Sequence, residues 1–197
     1  MTEKRKYELK KRAEQLAETR RRITEATVEL HRTVGPAGTR INEIARRAGV
    51  QRMTVYNHFP DESSLLTACS AHWRALHPSP DLTGWRAIGD ARARLRRGLG
   101  ELYAWYRETE PMTAHVLRDA EAVPALRPLV EGGLLRYLGE AQRVLTEPFE
   151  AHGLRQDRVD AAARGAIDVH LWRALAPLGD AVAAELAASL VERAADY

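Results

Sequence analysis

The side chains best equipped for recognition chemistry lie between Arg40 and Phe59, in the run RINEIARRAGVQRMTVYNHF. Two short helices joined by a tight turn cross steeply only when the residue at the crossing is small and the turn carries glycine. Apolar residues at fixed offsets must then lock the pair. Ala45, Gly49 four residues later and Val55 six after that meet these demands, with Ile41, Ile44 and Val50 filling around them, which is the spacing of a helix-turn-helix. The second helix carries groups suited to base edges. An arginine fork matches the O6 and N7 of guanine, and a Gln or Asn amide matches the N6 and N7 of adenine. Arg52, Gln51 and Asn57 supply those groups.

Other constellations offer less. Cys69 and His72 sit one helical turn apart, but two ligands do not make a zinc site, and with one cysteine in the chain no cysteine-built site or internal disulfide is available. Cys69 on an apolar stripe reads as a buried, inert thiol, with redox sensing as the other reading. Gly98-x-Gly100 lacks both the third glycine and the preceding strand of a dinucleotide fingerprint. No nucleophile elbow, Walker motif or His-Glu-x-x-His run occurs, and His115 with Asp119 is the one titratable pair that could be put forward for catalysis. The chain therefore reads as a non-enzyme, with no metal and no cofactor.

The elements that must position these groups are helices. Leu9, Ala13, Leu16, Ile23, Ala26, Leu30 and Val34 recur at helical steps until Gly35-Pro36, predicting one long amphipathic helix. Thr39 is placed as N-cap of a short helix ending at Gly49, and Gln51 to His58 forms the next, stopped at Phe59-Pro60 because the residue before proline leaves helical geometry. Asp61 caps a helix bearing Leu65, Leu66, Cys69, Trp73 and Leu76. Residues 77–84 (HPSPDLTG) form a linker-like stretch. Beyond it, periodicity predicts a long helix from Trp85 to Pro111, a short one over Met112–Val123, a helix from Leu129 to Phe149 weakened by Gly132-Gly133, and two final helices. Those run over Arg158–Ala176 and Ala181–Ala195, with Asp157 and Asp180 as caps. Their alanines (Ala162, Ala163, Ala166 and Ala174, then Ala183, Ala184, Ala187, Ala188 and Ala194) permit close helix approach, either inside a core or between subunits. The fold class is all-α with about nine helices.

Composition agrees with a globular domain: 197 residues, 45% hydrophobic and 29% charged. The first twelve residues are charged and lack the apolar centre of an export signal, and no apolar run approaches a bilayer span, so a cytoplasmic location is expected. The net charge of +3 hides an asymmetry: residues 1–60 hold 14 Lys+Arg against 7 Asp+Glu, whereas residues 61–197 hold 16 against 20. Lys4, Lys6, Lys10 and Lys11 all fall in the first eleven residues. A basic end on a mildly acidic remainder suits contact with a polyanion at that end, or else a solvated charged helix. The cluster Arg92, Arg94, Arg96 and Arg97 reads as a solvated or subunit-facing surface.

Arg22-Ile23 through Glu29-Leu30, Gly35, the run Ile41-x-x-Ile44-Ala45-x-x-Ala48-Gly49-Val50, and above all Val55-Tyr56-Asn57-His58-Phe59-Pro60 with Leu65-Leu66 resemble the TetR-type DNA-binding domain of bacterial transcriptional regulators. The resemblance covers residues 17–77, with the helix-turn-helix at 40–59, a basic extension at 1–16, and residues 78–197 as an effector-binding and dimerisation domain. It implies a recognition helix whose positions Gln51, Arg52, Thr54, Tyr56, Asn57 and His58 meet base edges and phosphates, with Arg40 at a phosphate. Arg52, Gln51 and Asn57 suit bases, and Thr54, Tyr56 and His58 suit phosphates. Glu62 departs from the family pattern, which commonly has a phosphate-binding lysine there. Either it turns away, or Lys10, Lys11 or the Arg20-Arg21-Arg22 cluster replaces the contact. The lysines of the extension read as a phosphate or minor-groove arm, or as a solubilising end.

The resemblance also implies a homodimer, joined through the last two helices, on a palindromic operator of double-stranded DNA. A small-molecule effector would control release, with repression as the outcome. Trp73, Tyr103, Trp105, Tyr106, Met112, His115 and Trp172, with His170 and Arg118 as polar options, are the aromatic, polarizable and polar side chains available to line an effector pocket. The alternative is a ligand-independent DNA-binding accessory protein.

Overall fold

The computed structural model describes residues 3–197, apart from the side chain of Lys4. Lys4, one of the lysines of the basic extension, thus lies outside the described side chains. Every regular element among the described residues is helical. The chain forms two compact units, one from residues up to Leu76 together with Pro111–Val130, the other from His77–Glu110 together with Glu131–Tyr197.

In the first unit, α1 runs over Glu3–Val34, α2 over Ile41–Ala48, α3 over Arg52–His58 and α4 over Glu62–Leu76. The core between them is Ile23, Ala26, Leu30, Ile44, Ala45, Val55, Phe59, Leu65 and Cys69, the residues spaced for that task in the sequence. Gly49 ends α2 with φ +65°, the left-handed geometry a C-terminal glycine adopts without strain. Asp61 caps α4 by accepting from the Ser64 amide at 2.6 Å. Thr39 does not cap α2: its hydroxyl donates to the Gly35 carbonyl at 2.8 Å, and Arg40 occupies the cap position without a side-chain bond. The apolar stripe of α1 is buried only from Ile23 to Leu30, and Leu9, Ala13, Leu16 and Val34 are exposed.

The second unit departs further from the sequence reading. The linker-like stretch runs into a short helix, α5 (Leu82–Arg86), capped by the Asp81 carboxylate on the Thr83 and Gly84 amides. It carries buried Trp85, so the long helix α6 begins at Ala91. That helix does not stop at Pro111 but continues to Asp119. Proline removes one helical hydrogen bond. Both sides of it are fixed by burial, Leu99, Leu102 and Tyr106 before and Met112 after, and tertiary packing outweighs the local penalty. A short α7 (Arg127–Val130), which belongs to the first unit, is followed in the second by a π-helical turn over Glu131–Leu135, where Gly132-Gly133 supplies the weak helical propensity such widening exploits, and then by α8 (Arg136–Thr146).

The expected helix over residues 158–176 is broken. Helix α9 (Leu154–Ala166) starts after Gly153 rather than at an Asp157 cap, and α10 (Val169–Leu175) follows a fresh cap in which Asp168 accepts from the His170 amide at 2.6 Å. Buried tyrosines take the carbonyls freed at the break: the Tyr103 hydroxyl donates to Ala166 at 2.8 Å and the Tyr106 hydroxyl to Ile167 at 2.5 Å. Helix α11 (Asp180–Asp196) packs on α9 with Ala163, Ala166, Ala183, Ala184, Ala187 and Ala188 buried, so those small residues close an internal helix pair. Asp180 does not cap it with its side chain, being bonded to Arg107 instead.

The arginine cluster on α6 is not uniformly solvated. Arg94 is buried and donates to the carbonyls of Ile88 (2.7 Å), Arg86 (3.1 Å) and Val144 (3.1 Å), fastening α5 and α8 to α6. Arg92 pairs with Asp196, and Arg96 with Glu185 and Glu192, all within this unit.

Candidate nucleic-acid interface

Helix α3 buries Val55 and presents the rest of its length outward. Gln51, Arg52, Tyr56 and Asn57 are exposed, and Thr54 and His58 are half-buried at its edges. Arg40 is exposed at the start of α2. Arg52 is already oriented: its guanidinium donates to the Tyr56 hydroxyl at 3.0 Å and lies 5.4 Å from the centre of that ring, one helical turn along. A fork held in this way loses less side-chain freedom when it meets a base. Met53 is 65% exposed on the same helix. Its thioether offers the apolar contact that a thymine methyl accepts. An apolar residue amid polar neighbours was the available signal.

The position of α3 is fixed from α1. The Arg20 guanidinium stacks 4.0 Å from the centre of the Phe59 ring and donates to the His58 carbonyl, closing the C-terminal end of α3. Arg22 donates to the carbonyls of Ala48 (2.6 and 3.1 Å) and Gly49 (3.1 Å), holding the turn between α2 and α3. Arg21 is engaged by Glu18 and Glu25 on its own helix. The three arginines expected to compensate for Glu62 are therefore engaged in supporting the motif and its helix. Glu62 is exposed in the first turn of α4, where a carboxylate is favoured by the helix dipole.

The residues put forward for an effector site fall into two groups. In the first unit, Met112 and Trp73 pack on the core, and the His115 Nδ1 lies 3.1 Å from the His31 carbonyl. Asp119 is buried and accepts from Arg118 (2.7 Å) and from the Ala37 amide (2.9 Å), so the His115 ring and the Asp119 carboxylate each have another hydrogen-bond partner. Burial pushes the His31 imidazole down to about 4. In the second unit, Tyr103, Tyr106 and Trp172 belong to one aromatic cluster, with ring centres 6.3 Å apart for the tyrosines and 5.7 Å for Tyr106 and Trp172. Trp105 and Tyr137 extend it at 5.6 and 6.1 Å and are only half-buried. Trp105 was noted in the sequence, whereas Tyr137, isolated in its helix, gave no local signal. Cys69 is buried, and burial raises its thiol to about 12, which removes the thiolate that redox sensing needs.

Comparison with known proteins bears on this motif directly. The family model described as bacterial regulatory proteins, tetR family, matches residues 23–69, from the buried face of α1 through α2 and α3 into α4. Residues 23–69 are thus similar to a TetR-family helix-turn-helix domain. It is 36% identical over 85 residues to the HTH-type transcriptional regulator SrpR of Pseudomonas putida, covering 40% of each chain. It is also 36% identical over 85 residues to TtgW of Pseudomonas putida, an uncharacterized HTH-type transcriptional regulator, covering 63% of that protein. The match thus spans less than two thirds of either relative. Beyond the TetR-type domain the likeness is one of fold. The structure of a TetR transcription regulator from Haloarcula marismortui ATCC 43049 aligns with TM-score 0.56 at 18% identity over 91% of this chain and 97% of that one. A transcriptional regulator from Rhodococcus sp. Rha1 aligns with TM-score 0.56 at 20% identity over 90% and 98%.

Proposed function

We propose that the protein is a sequence-specific transcriptional regulator that binds double-stranded DNA as a homodimer and acts in the cytoplasm. The observation that carries this reading is the exposed face of α3 with Arg52 pre-oriented by Tyr56. Arg52 reads guanine, Gln51 and Asn57 read adenine, and Arg40, Thr54, Tyr56 and His58 hold phosphates. Residues 17–77 carry the DNA contacts and residues 78–197 the dimerisation and effector functions.

The subunit contact is assigned to α11. Val182, Leu186 and Leu190 recur every four residues along one side of it and are exposed, as is Leu178 just before it. An apolar stripe of this kind on a surface helix suits a self-complementary twofold interface, and a twofold protein matches a palindromic operator with half-sites ~34–36 Å apart. The small-molecule site is assigned to the aromatic cluster of the second unit, where half-buried Trp105 and Tyr137 border buried Tyr103, Tyr106 and Trp172. Trp73, Met112 and His115 are packed within the first unit and are not included. The effector releases the operator only by binding the DNA-incompetent state more tightly than the competent one, giving repression that the effector lifts.

The test is titration of the protein onto the DNA upstream of its own reading frame, against a random duplex of equal length at fixed salt. A dimer-stoichiometric complex on a palindrome, much tighter than the random one, is expected. Arg52→Ala is expected to weaken it by about 1–3 kcal/mol and to relax preference at one operator position. Equal affinity for both duplexes would instead mark a ligand-independent accessory protein.

A further inference from the structure

The first five turns of α1, residues 3–19, extend past the last side chain by which α1 grips α3, that of Arg20. From Arg5 to Glu18 every side chain is exposed. The carboxylates on this segment are confined to one half of its circumference, and the other half carries cations without them. At about 100° per residue, Arg5, Lys6, Lys10 and Arg12 fall in the half of the helix that also carries Arg20, the half turned toward the C-terminal end of α3. Leu9, Ala13, Leu16 and Ala17 fall in the same half, forming a small-to-medium apolar ridge between the cations. The carboxylates Glu3, Glu8, Glu14 and Glu18 all fall in the other half, with Lys11. Lys10 approaches Glu14 at 3.9 Å, but with both side chains largely exposed such a pair is weak and leaves the ammonium available.

We propose that this segment is a helical strut that lies along the sugar-phosphate backbone of the duplex next to the recognition site, with Arg5, Lys6, Lys10 and Arg12 on phosphates. The inference rests on the reading of α3 as a DNA-binding helix and adds a second contact surface to it. Three observations select this occupant: the sign of the charge on that face, the confinement of the carboxylates to the opposite half, and the continuity of the face with the Arg20 side chain that grips the end of α3. Helical geometry also decides between the two forms of arm the sequence allowed. A helix ~10–12 Å across with its side chains does not enter a minor groove ~6 Å wide. It can run beside the backbone, and seventeen residues at ~1.5 Å each reach roughly 25 Å, a length over which a duplex carries one charge per ~1.7 Å.

Because cations that meet phosphates release counterions, the strut has a signature distinct from net charge. Lys6→Gln and Lys11→Gln remove the same charge from the same helix, on opposite faces. Binding of each to one random-sequence duplex of about forty base pairs is followed from low to moderate salt, with helical content checked by circular dichroism. Lys6→Gln is expected to lower the slope of log affinity against log salt by about 0.9 per protomer contact, and Lys11→Gln to leave it at the parent value. A combined Arg5→Gln, Lys6→Gln, Lys10→Gln, Arg12→Gln protein is expected to lose several such increments. Equal slopes for Lys6→Gln and Lys11→Gln, in a parent that binds the duplex, would overturn the strut while leaving the recognition helix intact. A parent with no salt-dependent binding to duplex DNA would overturn both.

Discussion

His31 shows how burial sets the chemistry of a single side chain. It is 5% exposed on the inner side of α1, and desolvation outweighs the attraction of Asp119, so the imidazole stays neutral down to about pH 4. Its ordinary value is near 6.5, so between pH 6.5 and 4 the unfolded chain takes up a proton that the folded chain refuses, and stability falls on acidification. The loss expected across that window is about 3 kcal/mol, read from urea unfolding, and it should largely disappear in His31→Phe. Asp119 acts lower on the scale. Burial raises its pKa, but the bonds from Arg118 and Ala37 overcome this and hold it below the usual carboxylate value, so its contribution is lost only on further acidification. A profile flat from about pH 7 to about 4.5 would mean that the fold can admit a proton at His31. Glu62 gives a second prediction at this scale. Replacing it by lysine at the exposed start of α4 should raise affinity for any duplex and steepen the salt slope by about 0.9 per protomer, at a cost of about 0.3–1 kcal/mol in helix-dipole energy. An unchanged slope would place residue 62 away from the phosphates.

Among the elements, the break between α9 and α10 depends on α6. Asp168 offers the chain a new cap, and the hydroxyls of Tyr103 and Tyr106 satisfy carbonyls that an unbroken helix would have bonded itself. Tyr106→Phe removes the partner of a buried carbonyl without changing the packing shape, which should cost about 1–3 kcal/mol in thermal or urea unfolding. A cost near zero would mean that the break is held by Asp168 alone. Gly98 tests the packing of α6 in the same unit. A Cβ there would press into the Leu145 Cδ2, well inside contact distance, and lie 3.2 Å from the Trp85 ring. Gly98→Ala should therefore destabilise despite its better helix propensity, by about 1–3 kcal/mol. A stabilised variant would show that α8 can yield.

For the whole molecule, the question is which apolar surface the fold leaves uncovered. The buried alanines of α9 and α11 are consumed within the chain, and Val182, Leu186 and Leu190 form an apolar stripe left outside. Leu186→Glu with Leu190→Glu places carboxylates on that stripe without touching a buried residue. Sedimentation or light scattering should then report a monomer, with affinity for a palindromic duplex falling toward that of a single half-site. A double variant that remains dimeric would move the subunit contact elsewhere.

Local rules written in the sequence determined the helix-turn-helix almost completely. The spacing of Ala45, Gly49 and Val55, the stop at Phe59-Pro60 and the cap at Asp61 all act within a few residues, and a short motif with low sequence separation leaves little for distant contacts to change. Helical periodicity fixed the all-α class for the same reason. Tertiary structure decided what depends on partners far along the chain. It carried α6 past Pro111 because both sides of the proline are buried, and it broke the helix at Ile167 because tyrosines more than sixty residues away hold its carbonyls. It also sorted like residues by location, burying Arg94 among carbonyls, turning Arg20 and Arg22 onto the recognition motif, and leaving Leu9 and Leu16 in solvent on a stripe that is core further along. Periodicity assigns a residue to a face of its helix, and only the packed chain decides whether anything covers that face.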